Sequence, residues 1–147
     1  MTFDPQTLPH HWINRLSFLL RRELHARFRR IGHNVSAEEW AVLTFLWKQD
    51  GRFAGELARL SVRDATTMTR MLDSMARKGL IRREADPSDR RRMRVCLSEK
   101  GQDIRPALVA EAEKLIAGSL NGIDGDDLET TLRTLVKIYE NLEGKGA

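Results

Sequence analysis

The chain has 147 residues, 41% hydrophobic and 31% charged, a balance that fits one globular unit. It holds no run near the roughly 18 apolar residues of a membrane span and no charged or apolar leader in MTFDPQTLPHHW, and its one cysteine, Cys96, cannot form an internal disulfide, so a reducing cytoplasm is expected. Net charge is +4, yet residues 63–94 hold ten basic and five acidic side chains, leaving −1 for the rest, the footprint of a polyanion partner.

The first predicted helix runs from about His10 to Ile31. Trp12, Leu16, Leu19, Leu20, Leu24 and Phe28 recur at spacings of three and four and give it one apolar face, and Gly32 closes it. Ser36-Ala-Glu-Glu39 reads as a capping box, in which the Ser36 hydroxyl and the Glu39 carboxylate satisfy each other's free amides. The helix it opens carries Trp40, Leu43 and Trp47 and ends near Asp50-Gly51.

A short helix is expected over Ala54–Leu60, and only Ser61-Val62-Arg63 separates it from Asp64, an N-cap residue for the next. That next helix runs to Lys78 and stops at Gly79, which tolerates the left-handed conformation of a helix end. Two helices joined by so short a turn form a helix-turn-helix. Leu80–Ala85 and Arg92–Leu97 then flank the turn Asp86-Pro87-Ser88-Asp89. Met93, Val95 and Leu97 alternate with Arg92, Arg94 and Cys96, as in a strand with one buried face. The pattern is a winged helix: a mainly α, α+β fold.

The remaining third is helical. Ser98 caps a helix that Pro106 bends or starts firmly, Asn121-Gly122 ends it, and the last helix carries Leu128, Leu132, Leu135, Tyr139 and Leu142 in a four-three seam suited to another helix. Residues 1–34 and 98–147 therefore read as a helical dimerisation region around a winged helix-turn-helix at 35–97, within one continuous unit.

On the Asp64–Lys78 helix, Ala65, Met68, Met71, Leu72, Met75 and Ala76 share the side that should face the core. Thr66, Thr67, Arg70, Asp73, Ser74 and Arg77 share the other side, with two hydroxyls at the end where a recognition helix meets bases and an arginine able to grip guanine. Arg90, Arg91 and Arg92 sit at the hairpin tip, and a narrow minor groove attracts arginine. Asp89 is expected to orient a nearby arginine through a charge-assisted pair. All ten are candidate DNA-binding residues.

Several of these segments resemble the MarR family of bacterial transcription regulators. Its wing signature is matched by Asp89-Arg90-Arg91 followed by Val95-Cys96-Leu97-Ser98-Glu99-Lys100-Gly101, its recognition helix by Asp64–Leu80, and the opening of its second helix by Ser36–Trp40. The resemblance implies a homodimer with interlocking terminal helices, whose two winged domains read a palindromic or pseudo-palindromic duplex. It implies that Arg91 enters the minor groove with Asp89 as its orienting partner, and that the recognition helix lies in the major groove. It also implies repression relieved by a small, often phenolic or aromatic effector bound between dimer helices and winged domain. Arg92 departs from the family, which often has a small residue there, and is expected to add a backbone contact.

His11, Trp12, Arg15 and Trp40 are the candidate effector pocket, since aromatic walls with one cation suit an aromatic acid. The resemblance does not extend to the family's oxidant-sensing cysteine near the first helix, because Cys96 lies in the wing strand and reads as structural. His10, His11, His25 and His33 lack metal-ligand spacing, and the chain shows no catalytic constellation or phosphate loop, so no metal, cofactor or enzyme activity is expected. The competing reading, a winged helix used only for protein–protein contact, leaves the arginine cluster and the hydroxyl-bearing helix face without a role.

Overall fold

A computed structural model describes residues 2–144. Residue 1 and residues 145–147, the outermost positions of the expected 1–34 and 98–147 regions, lie outside them. By internal contacts the chain forms two units, Met1–Glu113 and Lys114–Ala147.

The first unit opens with a 3-10 turn at Pro5–Thr7, then α1 (Pro9–Arg30), with proline at a position where its missing amide costs no helical bond. α2 (Ala37–Lys48) begins at the capping box: the Ser36 amide donates to Glu39 Oε1 at 2.9 Å and the Glu39 amide to Ser36 Oγ at 3.1 Å. α3 (Ala54–Leu60) and α4 (Ala65–Arg77) follow, joined by the tight turn. The core gathers Phe28 from α1, Val42, Leu43 and Leu46 from α2, Leu57 from α3, Met68, Leu72 and Met75 from α4, and Leu108 further on.

Three helices end in one hydrogen-bond pattern, the amides one and two residues past the C-cap turning back to carbonyls of the last turn. α1 ends through Gly32 to Arg29 and His33 to Phe28, α4 through Gly79 to Ala76 and Leu80 to Met75, and α3 through Val62 to Arg59 and Arg63 to Ala58. The pivot residue has a positive φ in each: +90° at Gly32, +74° at Gly79 and 53° at Val62. Val62 occupies a place that favours glycine.

The wing is β2 (Ile81–Ala85) and β3 (Met93–Leu97), antiparallel with Ile81 opposite Leu97 and Ala85 opposite Met93. A third strand, β1 (Arg52–Phe53), pairs with the other edge of β3, so β3 is central. β1 is absent from the expected elements, since two residues carry no period-two signal. Burial along β3 also departs from strict alternation: Cys96, expected on the outward face, is only 9% exposed, whereas Met93, expected inward, is 42% exposed. Burial instead follows depth, from the solvated tip beside Ala85 to the root beside Ile81.

Ser98 caps α5 (Glu99–Asp103), accepting the Gly101 amide at 3.0 Å. A new helix, α6 (Arg105–Ser119), starts with Pro106 in its first turn, so the proline marks a start rather than a bend. Gly101 is needed for space: a Cβ there would overlap the Leu80 carbonyl, and the Trp47 indole donates to the Gly101 carbonyl at 2.9 Å.

In the second unit, α7 (Gly125–Leu142) is capped by Asp124, whose carboxylate accepts the Asp126 amide at 2.8 Å. None of its residues is buried, and Leu128, Leu132, Leu135, Val136, Tyr139 and Leu142 are all exposed. No helix among the described residues is long and apolar enough to cross a membrane.

Candidate nucleic-acid interface

The candidate interface is built on α4 and the wing. Asp64 accepts the Thr67 amide at 2.7 Å, and this hydrogen bond holds its carboxyl below the ordinary carboxylate value. Met68, Leu72 and Met75 are buried, with Met71 and Ala76 packed partly against them. Ala65, expected on that side, is exposed, because the first turn of α4 stands clear of the core. On the opposite side Thr66, Arg70 and Arg77 are exposed, while Thr67, Asp73 and Ser74 are half-buried.

Two of these six side chains are already engaged. The Ser74 hydroxyl donates to Glu39 Oε2 at 3.2 Å, and Asp73 receives Arg83 of β2 at 2.5 Å. The second contact ties the wing to α4 and offsets the one acidic charge on that side.

A cleft of about 520 Å³ opens beside this face, between α1, the start of α2 and α4. Within it Arg21 pairs with Glu38 at 3.3 Å and Lys78 with Glu39 at 2.6 Å. Arg63 and Arg70 also line it and make no salt bridge among the described residues, although Asp64 acts on Arg70 electrostatically, so the lining holds four cations against two carboxylates, an excess of positive charge. Burial raises the Glu39 carboxyl, but the Lys78 ammonium and the Ser36 amide outweigh it and hold the group below its usual value. In the sequence Glu39 is legible as a cap alone and Arg63 as a turn residue; the charge pattern around the turn is the only signal for either.

The wing tip, residues 86–92, is closed by its own backbone, the Asp86 amide bonding the Arg92 carbonyl at 2.9 Å and the Arg92 amide the Asp89 carbonyl at 3.0 Å. Buried Asp86 accepts Arg94 Nε at 3.1 Å and the Asp89 amide at 3.2 Å, and Arg94 Nη1 continues to the Gly51 carbonyl at 2.8 Å. Asp89 Oδ1 accepts both the amide and Nε of Arg91 at 3.1 Å, and these contacts hold its carboxyl below the ordinary range. The Arg91 side chain is nonetheless 92% exposed, so it projects from the tip while anchored at its base. Arg90 is exposed beside it. Arg92 is drawn back, its guanidinium 3.4 Å from the centre of the Phe53 ring of β1, with Arg94 at 4.4 Å from the same ring.

The family model for MarR regulators matches residues 35–93, spanning α2 through the wing. A solved transcriptional regulator is 30% identical to this chain, with a TM-score of 0.77 over 90% of this chain and 96% of its own. The chain belongs to the MarR family. MarR proteins are transcription regulators, not enzymes, and this one has their DNA-binding winged-helix fold. A MarR-family regulator from Silicibacter pomeroyi is similar at 25% identity, with a TM-score of 0.75 over 94% of this chain and 92% of its own. Reduced AbfR, solved bound to DNA, shares the fold at 19% identity, with a TM-score of 0.71 over 88% of this chain and 87% of its own.

The four residues expected to line an effector pocket stand in different surroundings in this MarR-family chain. His11 and Trp12 stack edge-on with ring centres 5.1 Å apart, the Trp12 indole donates to the Gln6 carbonyl at 3.0 Å, and Arg15 is exposed. Trp40 packs with Phe28 and Trp47, at 5.3 and 5.5 Å between ring centres, against the core. The cleft beside α4 is lined by other residues.

Proposed function

We propose that this MarR-family regulator is a cytoplasmic, sequence-specific double-stranded DNA-binding repressor that acts as a homodimer and is released by a small-molecule effector. The observation that carries the DNA reading is the sidedness of α4. Its methionine and leucine side is buried, its threonine and arginine side faces out, and Arg63 and Arg70 beside it lack salt-bridge partners among the described residues. Thr66, Thr67, Arg70 and Arg77 enter the major groove, with Asp73 and Ser74 setting the edge of the contact. Arg91, oriented by Asp89, enters the minor groove, and Arg90 and Arg92 add charge near the phosphates. Reduced AbfR, which shares the fold and is solved bound to DNA, supports the DNA-binding reading.

The exposed apolar residues of α1 and α7 support pairing of two chains through residues 1–34 and 98–147, with 35–97 as the reading unit. Two winged domains related by a dyad require a palindromic or pseudo-palindromic site. The cleft beside α4 supports effector release, because Thr67, Arg70 and Ser74 line it and also belong to the proposed DNA face. A small acid seated there would compete for the same cations. An aromatic acid held by His11, Trp12, Arg15 and Trp40 remains the alternative seat, and substitutions at Arg15 and Arg70 separate the two.

The test is fluorescence anisotropy with the intergenic duplex upstream of the protein's own gene against a scrambled duplex of the same length. Specific binding that small aromatic acids reverse is the expected result. Equal affinity for both duplexes, or none for either, overturns the reading.

A further inference from the structure

We propose that Val62, in the turn between α3 and α4, contacts DNA through its isopropyl group, and that this contact is the reason a β-branched residue stands there. The inference rests on the DNA-binding reading above and assigns a residue that this reading does not use.

Val62 is the only non-glycine residue with a positive φ among the described residues, at 53°. A β-branched side chain is poorly tolerated in that region, because its two branches crowd the backbone on either side. The two other helix ends of the same hydrogen-bonded form use Gly32 and Gly79. Valine therefore carries a conformational cost where the fold elsewhere avoids one. Packing within the chain does not offset it, since Val62 is 69% exposed. A second cost lies next to it: the Ser61 hydroxyl is buried without a hydrogen-bond partner among the described residues. Strain held in one short segment, with no internal return, points outward to a partner.

The place of the turn identifies that partner. Val62 comes two residues before Asp64, the N-cap of α4, and next to Arg63. It stands at the end of α4 that carries Thr66 and Thr67, the end of a recognition helix that meets DNA. DNA offers apolar surface there in thymine methyl groups and deoxyribose carbons, both of which accept an aliphatic contact. Glycine would relax the turn and remove the contact. Alanine keeps a Cβ on the left-handed backbone but loses both methyl groups.

The experiment compares full-length wild type, Val62→Gly and Val62→Ala, using the duplex that wild type enriches from a random-sequence pool. Val62→Gly should raise Tm by a few degrees and weaken binding roughly five- to tenfold, the scale of one lost aliphatic contact. Val62→Ala should weaken binding to a similar extent with little gain in Tm, which separates a lost side-chain contact from a loosened backbone. Replacing single thymines by deoxyuracil then divides the two sources. A substitution that weakens wild type but not Val62→Gly marks a methyl contact, and uniform insensitivity with the variant losses intact marks the sugar. If both variants bind as wild type does, the inference falls while the DNA-binding reading stands. If Tm of Val62→Gly does not rise, the strain on which it rests is refuted. If wild type enriches no sequence and binds no duplex, both fall together.

Discussion

The Lys78 ammonium lies 2.6 Å from Glu39 Oε1, joining the end of α4 to the capped start of α2 across a nearly buried carboxylate. Glu39 also receives the Ser36 amide and the Ser74 hydroxyl, so one side chain satisfies three donors from two helices. Glu39→Ala should cost about 3 kcal/mol of stability, because it strands a partly buried cation and an orphan helix amide. Glu39→Gln should cost less, since it keeps the packing and the hydroxyl contact. With its carboxyl held below the ordinary glutamate value, this stabilisation is present above that value and lost as pH falls through the lowered one. Urea melts between pH 3 and 7 check this: wild type should lose more stability on acidification than Glu39→Gln, and parallel curves would refute the assignment.

Gly101→Ala should destabilise the domain by about 3 kcal/mol, toward the upper end of overpacking costs, because the obstacle is backbone rather than a flexible side chain. The added methyl would push α5 away from Leu80 and stretch the Trp47 indole bond to the Gly101 carbonyl. Trp47 fluorescence should therefore shift in the folded state. A variant with wild-type Tm and emission would show that the contact is slack.

Most of the helical frame was legible because helices announce their ends. Ser36 with Glu39, Asp64, Gly79 and Ser98 each mark a boundary by a local hydrogen bond, and the observed ends fall within a residue or two of the expected ones. What was not legible depends on contacts distant in sequence. β1 exists because β3 offers it an edge, and Arg52 has further hydrogen bonds to the Phe45 carbonyl and Glu56 that no short-range pattern announces. Cys96 is buried through its depth in the sheet, which alternation along one strand cannot encode. On the interface, the wheel of α4 was readable apart from Ala65, but Asp73 and Ser74 have partners 10 and 35 residues away. Arg92 looked free at a turn; its place against Phe53 depends on the strand that the sequence hid.

Arg91→Ala should weaken specific DNA binding by about 1–3 kcal/mol with no change in Tm, since the side chain makes its contacts at an exposed tip. Asp89→Asn should cause a smaller loss, because it removes the charge that aligns the guanidinium but leaves the arginine in place. The Asp89 carboxyl is held below the ordinary aspartate value by its hydrogen bonds from Arg91, so the alignment is present above that value and lost only as pH falls through the lowered one. Binding should then show no titration from this pair between pH 5 and 8. Equal affinity of wild type and Arg91→Ala in anisotropy titrations would remove Arg91 from the interface.

Arg63 lines the same cleft as Arg70, where cations outnumber carboxylates, so it suits phosphate rather than base contact. Arg63→Ala should weaken specific and scrambled duplexes alike. It should also reduce the slope of log K against log salt by about one, as one released counterion is lost from the count. Arg70→Ala should instead hurt the specific duplex more. Titrations at four salt concentrations distinguish the two, and an unchanged slope for Arg63→Ala would exclude a phosphate contact.

Dimerisation through α7 is tested by charge. Leu132, Leu135, Tyr139 and Leu142 repeat at three and four residues, and Leu132 is 60% exposed, so the helix has a continuous apolar side with no burial of its own. Leu132→Glu with Leu135→Glu leaves the helix intact in isolation, because glutamate is a good helix former, but two carboxylates cannot be buried in an apolar seam without large cost. The double variant should sediment as a monomer with helical circular dichroism close to wild type. Its affinity for a two-half-site duplex should fall roughly a hundredfold or more, since a single winged domain loses the effective concentration supplied by its twin. Affinity for a single half-site should change little. A double variant that still sediments as a dimer would move the interface off α7, and a monomer that still binds the full site at wild-type strength would sever DNA recognition from pairing.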